Sequence, residues 1–346
     1  MKKRYSIKLS GTLTTISPII HTHGSSGNST YCIKTSVPFI NEMGETEYVE
    51  VPYFQGSSFR GKLRRNMAQT LIDAVGGNLD IDTAVRLMVG GKMEAGNYRS
   101  LASARDVLER CIDLQLFGGI DGSNFESHLK VGMLYPITNA TLARKIVPLA
   151  YEYIKVDESR NNPATNKMTN ALTEWVIQTR RDELLNHSTQ AMSAISEDYY
   201  AEAEKYLIDG IERQSEIKAS KKDKNATEKP KKTIQAHFGK IEGIAVGVPL
   251  YSEIEVSNVS DVAMGLFLKT LEGWLGSPYL GSASRSGYGK VSASYHLKAD
   301  GKTIRDFVGV DEFGEHTLNY EGFGSDCIKA FDKWVKKATT ETIKAS

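Results

Sequence analysis

The chain alternates polar and apolar side chains almost from its first residue. Residues 5–16 have the sequence YSIKLSGTLTTI, a pattern that predicts a strand with one solvated face. Residues 17–54 keep a strand-like composition and carry a turn signal at residues 41–44. They predict a hairpin or a long excursion from a sheet.

The next segment, QGSSFRGKLRRNMAQTLIDAVGG, changes to the helical period. Ser57 or Ser58 can cap a helix, and Gly76 with Gly77 can end it. An apolar stripe at a spacing of four residues predicts the buried face of this helix: Phe59, Leu63, Met67 and Leu71. The pattern places Arg60 and Arg64 on another, solvated face, with Lys62 and Arg65 nearby.

The remaining helices and strands are predicted from the same two patterns, alternation for strands and a spacing of three to four residues for helices. CIDLQLFGG predicts a helix that ends on Gly118, and HLKVGMLYPITNATL predicts a strand. Residues 142–212 are predicted to be mostly helical, with TEWVIQTRRDELLN at their centre, and the lysine-rich residues 213–233 predict a mobile basic loop. Further strands are predicted from GIAVGVPLYSEIEV and VSASYHL, on either side of a helix at residues 261–275 with four buried positions, Val262, Leu266, Leu271 and Trp274.

The order is therefore strand, helix, strand, long helical insertion, strand, helix, strand. This order predicts an α+β fold, a split βαβ, ferredoxin-like sheet with helices packed on one face and insertions projecting from it.

Composition narrows the class of protein. The chain has 346 residues, of which 25% are charged and 40% apolar, and a net charge of +1. This is typical of a soluble globular protein and argues against a uniformly basic nucleic-acid coat, although a basic face remains open. Three widely spaced cysteines predict neither a zinc site nor a disulfide framework, and we expect a cytoplasmic protein with no membrane partner.

The glycine-rich stretch GSASRSGYGKV, residues 281–291, is the first candidate site. Glycines allow close backbone approach, successive N–H groups can hold an anion, and Arg285 adds donors that suit phosphate. A plain turn at the start of a strand is an equally good interpretation when the stretch is taken alone.

GSSFRGKLRR, residues 56–65, is the second candidate. A helix N-terminus attracts phosphate through its free N–H groups and its dipole, and four basic side chains follow within the first turns. The alternative is a capped helix with a solvated basic face.

Together these motifs resemble the repeat-associated mysterious proteins (RAMPs) of CRISPR systems. GSSFRGKLRR is similar to the G-S-S-x-[KR]-G segment of that superfamily, LFGG at residues 116–119 to its helix-closing LFG, and GSASRSGYGKV to its glycine-rich loop. Their order and separation resemble the backbone subunit, the seventh Cas family, and TRRDEL at residues 179–184 resembles its type IV version.

The resemblance implies a modified RNA-recognition (RRM-like) palm with finger and thumb insertions, and copies that stack along CRISPR RNA as a helical filament. The palm would comprise residues 1–20, 50–77, 110–141 and 240–298. The other parts would be a thumb-like hairpin at 21–49, a helical insertion at 78–109, a helical insertion with the basic loop at 142–239, and a C-terminal tail at 299–346.

The resemblance also implies RNA contacts. Ser57, Ser58, Arg60 and Arg64 would contact guide phosphates, with Lys62 and Arg65 beside them, and Gly281, Ser282, Arg285 and Ser286 would form the second contact. Further candidate contacts are His21, His23, Lys34, Arg180 and Arg181.

Catalysis has one sequence candidate. An HxH pair on a strand, His21 and His23, puts both imidazoles on one face and could be half a metal site or an acid–base pair for RNA cleavage. Polar contact with RNA or with a loop is the alternative that we favour. Type III relatives cut with an aspartate where this chain has STYCIKTSVPF, which holds no carboxylate but does hold Lys34.

The sequence therefore predicts a non-catalytic CRISPR RNA-binding backbone subunit without cofactor or metal. Its partners would be guide RNA, target nucleic acid paired with the guide, further copies of itself and other effector subunits. Two alternatives stay open: a RAMP-type endoribonuclease that processes CRISPR RNA through His21 or His23, and a single-copy RNA-binding protein outside CRISPR immunity.

Overall fold

The computed structural model describes residues 3–26, 29–40, 43–91, 100–121, 123–151, 172–180, 237–320 and 323–344. These residues belong to two compact units. The first comprises Met1–Ser25, Thr30–Val176 and Glu242–Ser346. The second comprises Ser26–Ser29 and Ile177–Ile241, and its described residues all lie in strands.

The strands of the described chain are numbered in sequence order. The first nine are β1 (Tyr5–Thr15), β2 (Thr22–Ser26), β3 (Ser29–Cys32), β4 (Lys34–Ile40), β5 (Thr46–Pro52), β6 (Gly119–Ile120), β7 (Asn124–Phe125), β8 (Leu129–Val131) and β9 (Tyr135–Pro136). The others are β10 (Thr173–Arg180), β11 (His237–Ile244), β12 (Pro249–Val259), β13 (Val291–Ala299), β14 (Lys302–Val310) and β15 (His316–Leu318).

The helices of the same residues are α1 (Gly56–Val75), α2 (Ile81–Val89), α3 (Leu101–Arg110), α4 (Ile112–Phe117), α5 (Asn139–Ala143), α6 (Asp261–Leu275), α7 (Ser325–Val335) and α8 (Thr340–Ile343). Two single 3₁₀ turns occupy Leu149–Tyr151 and Ser284–Ser286.

The main sheet has the strand order β15-β14-β13-β1-β12-β8, and β9 also pairs with β12. Four neighbouring strands, β13, β1, β12 and β8, taken with α1 and α6, form β1-α1-β8-β12-α6-β13 along the chain. In space they have the order fourth, first, third, second, which is the ferredoxin-like arrangement. The predicted α+β, RRM-like palm is therefore confirmed.

One face of this sheet carries the core. Leu9 of β1 lies opposite Ile254 of β12 and Leu297 of β13, and all three side chains are buried. Helices α1 and α6 cover this face, and the rings of Phe59 and Trp274 lie 4.8 Å apart between them. The apolar stripe predicted for α1 is fully buried, as its spacing of four residues indicates.

Smaller sheets make up the insertions. β4 and β5 pair as a two-stranded antiparallel hairpin with Ile40 opposite Thr46. The predicted turn at 41–44 includes residues 41 and 42, which lie outside the described ones. A four-stranded sheet has the order β10-β11-β3-β2.

Three predictions about secondary structure are wrong. TEWVIQTR, predicted as helix, is strand β10, because it combines four β-branched residues with Trp175 and such side chains favour strands. HLKVGMLYPITNATL, predicted as one strand, holds the short strands β8 and β9 and then α5. A serine does not cap α1: the N-cap residue is Gln55, without a capping side chain.

The predicted tail at 299–346 is also wrong in its placement outside the palm. β14 extends the main sheet beyond β13, and β15 follows it. Helix α7 packs on α6 so closely that a Cβ at Gly265 would lie 2.2 Å from the carbonyl oxygen of Cys327. β14 pairs with β13 through the two-residue turn Asp300–Gly301, so this extension is a local hairpin, whereas the contact of α7 with α6 joins segments about fifty residues apart.

Candidate functional site

The N-terminus of α1 is held from two sides. Gly56 lets the helix approach β8, since a Cβ there would lie 2.2 Å from the carbonyl oxygen of Val131. This glycine therefore serves packing. Ser57 beyond it is exposed and Ser58 half-buried, and the first turn contains no acidic residue. The free backbone donors of this turn thus keep their preference for an anion.

His21 fixes the same turn from the other side. Its Nε2 accepts a hydrogen bond from the Gln55 N–H at 3.3 Å, and its ring lies 4.5 Å from the ring of Phe54. Burial lowers the pKa of His21, which keeps the imidazole neutral and able to accept. His21 immediately precedes β2, which begins at Thr22, so only His23 of the predicted HxH pair lies within a strand.

The glycine-rich loop is pinned to the segment before His21. Gly281 has a φ of 75°, and its Cβ would lie 2.4 Å from the carbonyl oxygen of Ile20. The Ser282 N–H donates to that same oxygen at 2.9 Å. Farther along, Ser17 Oγ donates to Gly287 O at 2.7 Å and accepts from the backbone N–H at position 290 at 2.8 Å.

Several N–H groups of this loop are therefore not available to an anion. Those of Ser282, Ser286, Gly287 and Gly289 all donate to backbone carbonyls of the protein. The anion-binding concavity predicted from successive free N–H groups is wrong for these positions. What the loop offers to solvent is Arg285 and the hydroxyl of Ser286, both exposed.

The two predicted motifs meet at neighbouring residues. Ile20 receives the glycine-rich loop and His21 receives the N-terminus of α1, and consecutive Cα atoms lie about 3.8 Å apart. The stretches 56–65 and 281–291, more than 200 residues apart in sequence, thus lie close together in the fold. We call the exposed parts of the α1 N-terminus and of the glycine-rich loop the Ile20–His21 surface.

Three cations belong to these two elements without a partner inside the described chain. Arg65 and Arg285 are exposed, and neither guanidinium has a hydrogen bond or ion pair with the described residues. Lys62 is half-buried, and burial, followed by the charge of Arg65, lowers its pKa. An anion beside Lys62 and Arg65 would relieve this repulsion.

Arg60 and Arg64 are placed otherwise than predicted. Arg64 is only 8% exposed and donates to the carbonyl oxygens of Phe117 at 2.9 Å, Gly118 at 3.0 Å and Arg86 at 3.3 Å. Burial, followed by the charge of Arg60, lowers the pKa of Arg64 to about 10. Arg60 is half-buried and donates to Phe117 as well. The predicted solvated face for this pair is wrong, because the carbonyls that end α4 attract both guanidinium groups.

A buried ionic cluster behind them was missed at the sequence level. Arg86 of α2 is 1% exposed and contacts the carboxylates of Asp113 and Asp121, each at 3.1 Å. It also donates to the carbonyl oxygen of Ile343 in α8. The sequence did contain one signal for this cluster: a single arginine, Arg86, lies between Val85 and Leu87 in a mostly apolar helix, and such a buried charge needs an acidic partner. The cluster supports the Phe117–Gly118 turn that Arg60 and Arg64 contact.

Lys34 also forms an ion pair within the protein. Its Nζ lies 2.6 Å from Glu242, a carboxylate that also accepts from the Cys32 N–H at 3.2 Å and from Thr173 Oγ1 at 2.9 Å. Glu242 is buried, so Lys34 neutralises it. The predicted RNA contact Lys34 is therefore already paired with a carboxylate, Glu242 of β11, that the sequence around Lys34 does not contain.

Three further residues were predicted to contact RNA: His23, Arg180 and Arg181. His23 is exposed on β2. Arg180 ends β10, its side chain lies outside the described ones, and Arg181 and the predicted loop 213–233 lie outside the described residues altogether.

No cluster of three or more His, Cys, Asp or Glu side chains suited to a metal occurs among the described residues. Among the helices that the structure describes, none combines the length and apolar character that a membrane crossing needs.

Comparison with known proteins identifies the family and a similar fold. The family model of the RAMP superfamily matches residues 12–292. Among solved structures, a chain of a "Type IV-B CRISPR Complex" is similar in fold, with a TM-score of 0.50 at 16% identity; the alignment covers 84% of this chain and 90% of that one. No curated protein matches the sequence.

Proposed function

The chain belongs to the RAMP superfamily, and we propose that it is the CRISPR RNA-binding backbone subunit of a multi-subunit effector complex of type IV. Copies of it would line the guide RNA as a filament, beside other effector subunits. Each copy would hold guide phosphates and leave bases free to pair with target nucleic acid. The superfamily and the fold shared with a chain of a type IV-B complex support this assignment.

The observation that carries the proposal is the Ile20–His21 surface. Two sequence motifs that each suit phosphate border it, although nothing in their sequence spacing requires them to meet. On the α1 side the surface offers hydroxyls, a helix N-terminus and two cations: Ser57, Ser58, Lys62 and Arg65. On the loop side it offers Arg285 and Ser286, whereas both donors of Ser282 are directed at the Ile20 carbonyl oxygen. Such groups bind a phosphodiester chain and carry no base readout.

The same residues argue for binding without cleavage. A general base needs a free nitrogen, and His21 Nε2 already accepts the Gln55 N–H. Glu242, the carboxylate nearest to Lys34, already accepts three donors and is buried. We therefore propose that these groups position the RNA-binding elements. We also propose that residues 21–49, which include most of the β4–β5 hairpin, are the thumb-like element that separates guide segments.

Co-expression with a CRISPR array tests the assignment. We expect the protein to elute in size-exclusion chromatography as an assembly of several copies on one repeat-plus-spacer RNA. Purified protein mixed with unprocessed repeat RNA should leave it intact. Cleavage would favour the processing enzyme, and a monomer without repeat RNA would favour an RNA-binding protein outside CRISPR immunity.

Charge reversal tests the surface itself. Arg65→Glu and Arg285→Glu should each weaken binding of single-stranded RNA and lower the log–log salt slope by about 0.7 for each phosphate that the variant no longer neutralises. Lys333→Glu, exposed on α7, is the matched control and should leave both the affinity and the slope unchanged. Equal effects in all three variants would show that RNA binding depends on the overall charge of the protein and not on this surface.

A further inference from the structure

Two large aromatic side chains stand exposed on the four-stranded sheet. Tyr31 of β3 is 44% exposed and Trp175 of β10 is 47% exposed. Their ring centroids lie 5.6 Å apart at an interplanar angle of 79°. In this T-shaped arrangement one ring turns its edge to the face of the other, so the remaining ring faces are directed away from the pair.

The strands beneath the pair are fixed by buried polar contacts. Glu242 accepts from the backbone N–H of Cys32, which follows Tyr31, and from the side chain of Thr173, two residues before Trp175. Both rings are therefore attached to strands that one buried carboxylate holds together. A rigid attachment lets an exposed aromatic side chain bind a ligand at low entropic cost.

The pair lies near the Ile20–His21 surface. Ile33, two residues after Tyr31, donates its N–H to the His21 carbonyl oxygen at 3.0 Å and accepts from the Tyr53 N–H at 3.2 Å. Two residues of extended strand span about 7 Å. A single strand whose phosphates contact the N-terminus of α1 thus has this aromatic pair within reach of its bases.

We propose that Tyr31 and Trp175 form a stacking platform for one unpaired nucleobase of bound single-stranded RNA. The inference rests on the proposed function and adds a base-contacting site to a surface otherwise suited to phosphates. Stacking on exposed aromatic rings beside a cationic groove is how proteins hold single strands without reading their sequence. The platform would therefore accept any base and would fix the register of the strand.

Tryptophan fluorescence isolates the platform. Of the three tryptophans, Trp274 is fully buried and Trp334 half-buried, so Trp175 is the most exposed to acrylamide, and a Trp334→Phe background leaves it as the one quenchable tryptophan. We expect oligouridine to quench the Trp175 emission and to protect it from acrylamide. An abasic ribose–phosphate oligomer of the same length, which has the charges without the bases, should bind without doing either.

Affinity gives the second readout. Trp175→Leu should weaken binding of oligouridine about tenfold, the effect of removing one stacked base. It should leave both the affinity for the abasic oligomer and the salt slope unchanged. Trp175→Phe, which keeps an aromatic face, should restore most of the affinity, and Tyr31→Leu should act like Trp175→Leu. Thermal unfolding of each variant shows whether the fold is retained.

The outcomes separate the two proposals. If the free protein already shields Trp175 from acrylamide, its own chain covers the ring and the platform is wrong. If Trp175→Leu and Trp175→Phe bind oligouridine equally well, or if the abasic oligomer loses as much affinity, the platform is wrong while phosphate binding stands. If neither oligomer binds, the proposed function fails and the platform fails with it.

Discussion

The guanidinium of Arg64 lies against Phe117 in two ways at once. Its Nη2 donates to the Phe117 carbonyl oxygen at 2.9 Å, and its central carbon lies 5.3 Å from the centroid of the same residue's ring. The segments GSSFRGKLRR and LFGG are therefore two halves of one packing contact. Arg64 joins the N-terminal half of α1 to the end of α4, while its neighbour Arg65 is exposed to solvent.

Arg64→Ala should lower the free energy of unfolding by about 3 kcal/mol, because it leaves buried carbonyls without a charged donor. The adjacent Arg65→Ala is the matched control and should stay within about 0.5 kcal/mol of the unsubstituted protein. Urea unfolding of the two variants measures the difference. An Arg64→Ala protein as stable as Arg65→Ala would mean that the contacts with Phe117 and Gly118 contribute nothing.

Lys34→Met should lower the free energy of unfolding by about 2 kcal/mol, because the buried carboxylate of Glu242 then has no countercharge. Adding Glu242→Gln should recover more than half of that stability. Lys8→Met, which breaks the exposed Lys8–Glu253 pair at 2.7 Å, should cost less than about 0.5 kcal/mol. We also expect Lys34→Met to bind RNA normally once folded; a selective drop in RNA affinity would return Lys34 to the RNA-binding surface.

His21 should make stability depend on pH. Burial places its folded-state pKa below the ordinary value of 6.5, so the unfolded chain takes up a proton first as the pH falls. The stability that neutral His21 contributes is complete above pH 6.5 and is lost as the pH falls from there toward the folded-state pKa. Thermal unfolding between neutral and mildly acidic pH should show a smaller decline in His21→Gln than in His23→Gln. Parallel declines would remove His21 as the group responsible.

Gly289→Ala should be more harmful than Gly287→Ala. Both residues have positive φ, 85° and 82°, but a Cβ at Gly289 would lie 1.9 Å from the Leu280 carbonyl oxygen, whereas one at Gly287 meets nothing within 4 Å. We expect about 1 kcal/mol of destabilisation for Gly287→Ala and about 2 kcal/mol more for Gly289→Ala. Melting temperatures measure both. Equal effects would show that backbone conformation alone, and not the close approach, restricts this loop.

Local patterns predicted much of this protein. The alternation in β1, the apolar stripe of α1 and the positive φ at Gly76 follow from side-chain spacing and residue type. The glycine-rich loop also required at least one special backbone conformation, and the structure has it at Gly281, Gly287 and Gly289. These features depend on neighbours within a few residues, so a single sequence contains the information for them.

The tertiary structure decided which charged side chains face solvent. GSSFRGKLRR places four cations on one helix, but only contact with the end of α4, about fifty residues away, buries Arg64 and leaves Arg65 exposed. Lys34 likewise has its charge partner in Glu242, more than 200 residues later. Spacing along a helix defines a face, whereas burial depends on what packs against that face. The sequence by itself therefore determined the ferredoxin-like order of elements and the two phosphate-suited motifs, and only the fold decided that both border Ile20 and His21 and which cations remain free for a ligand.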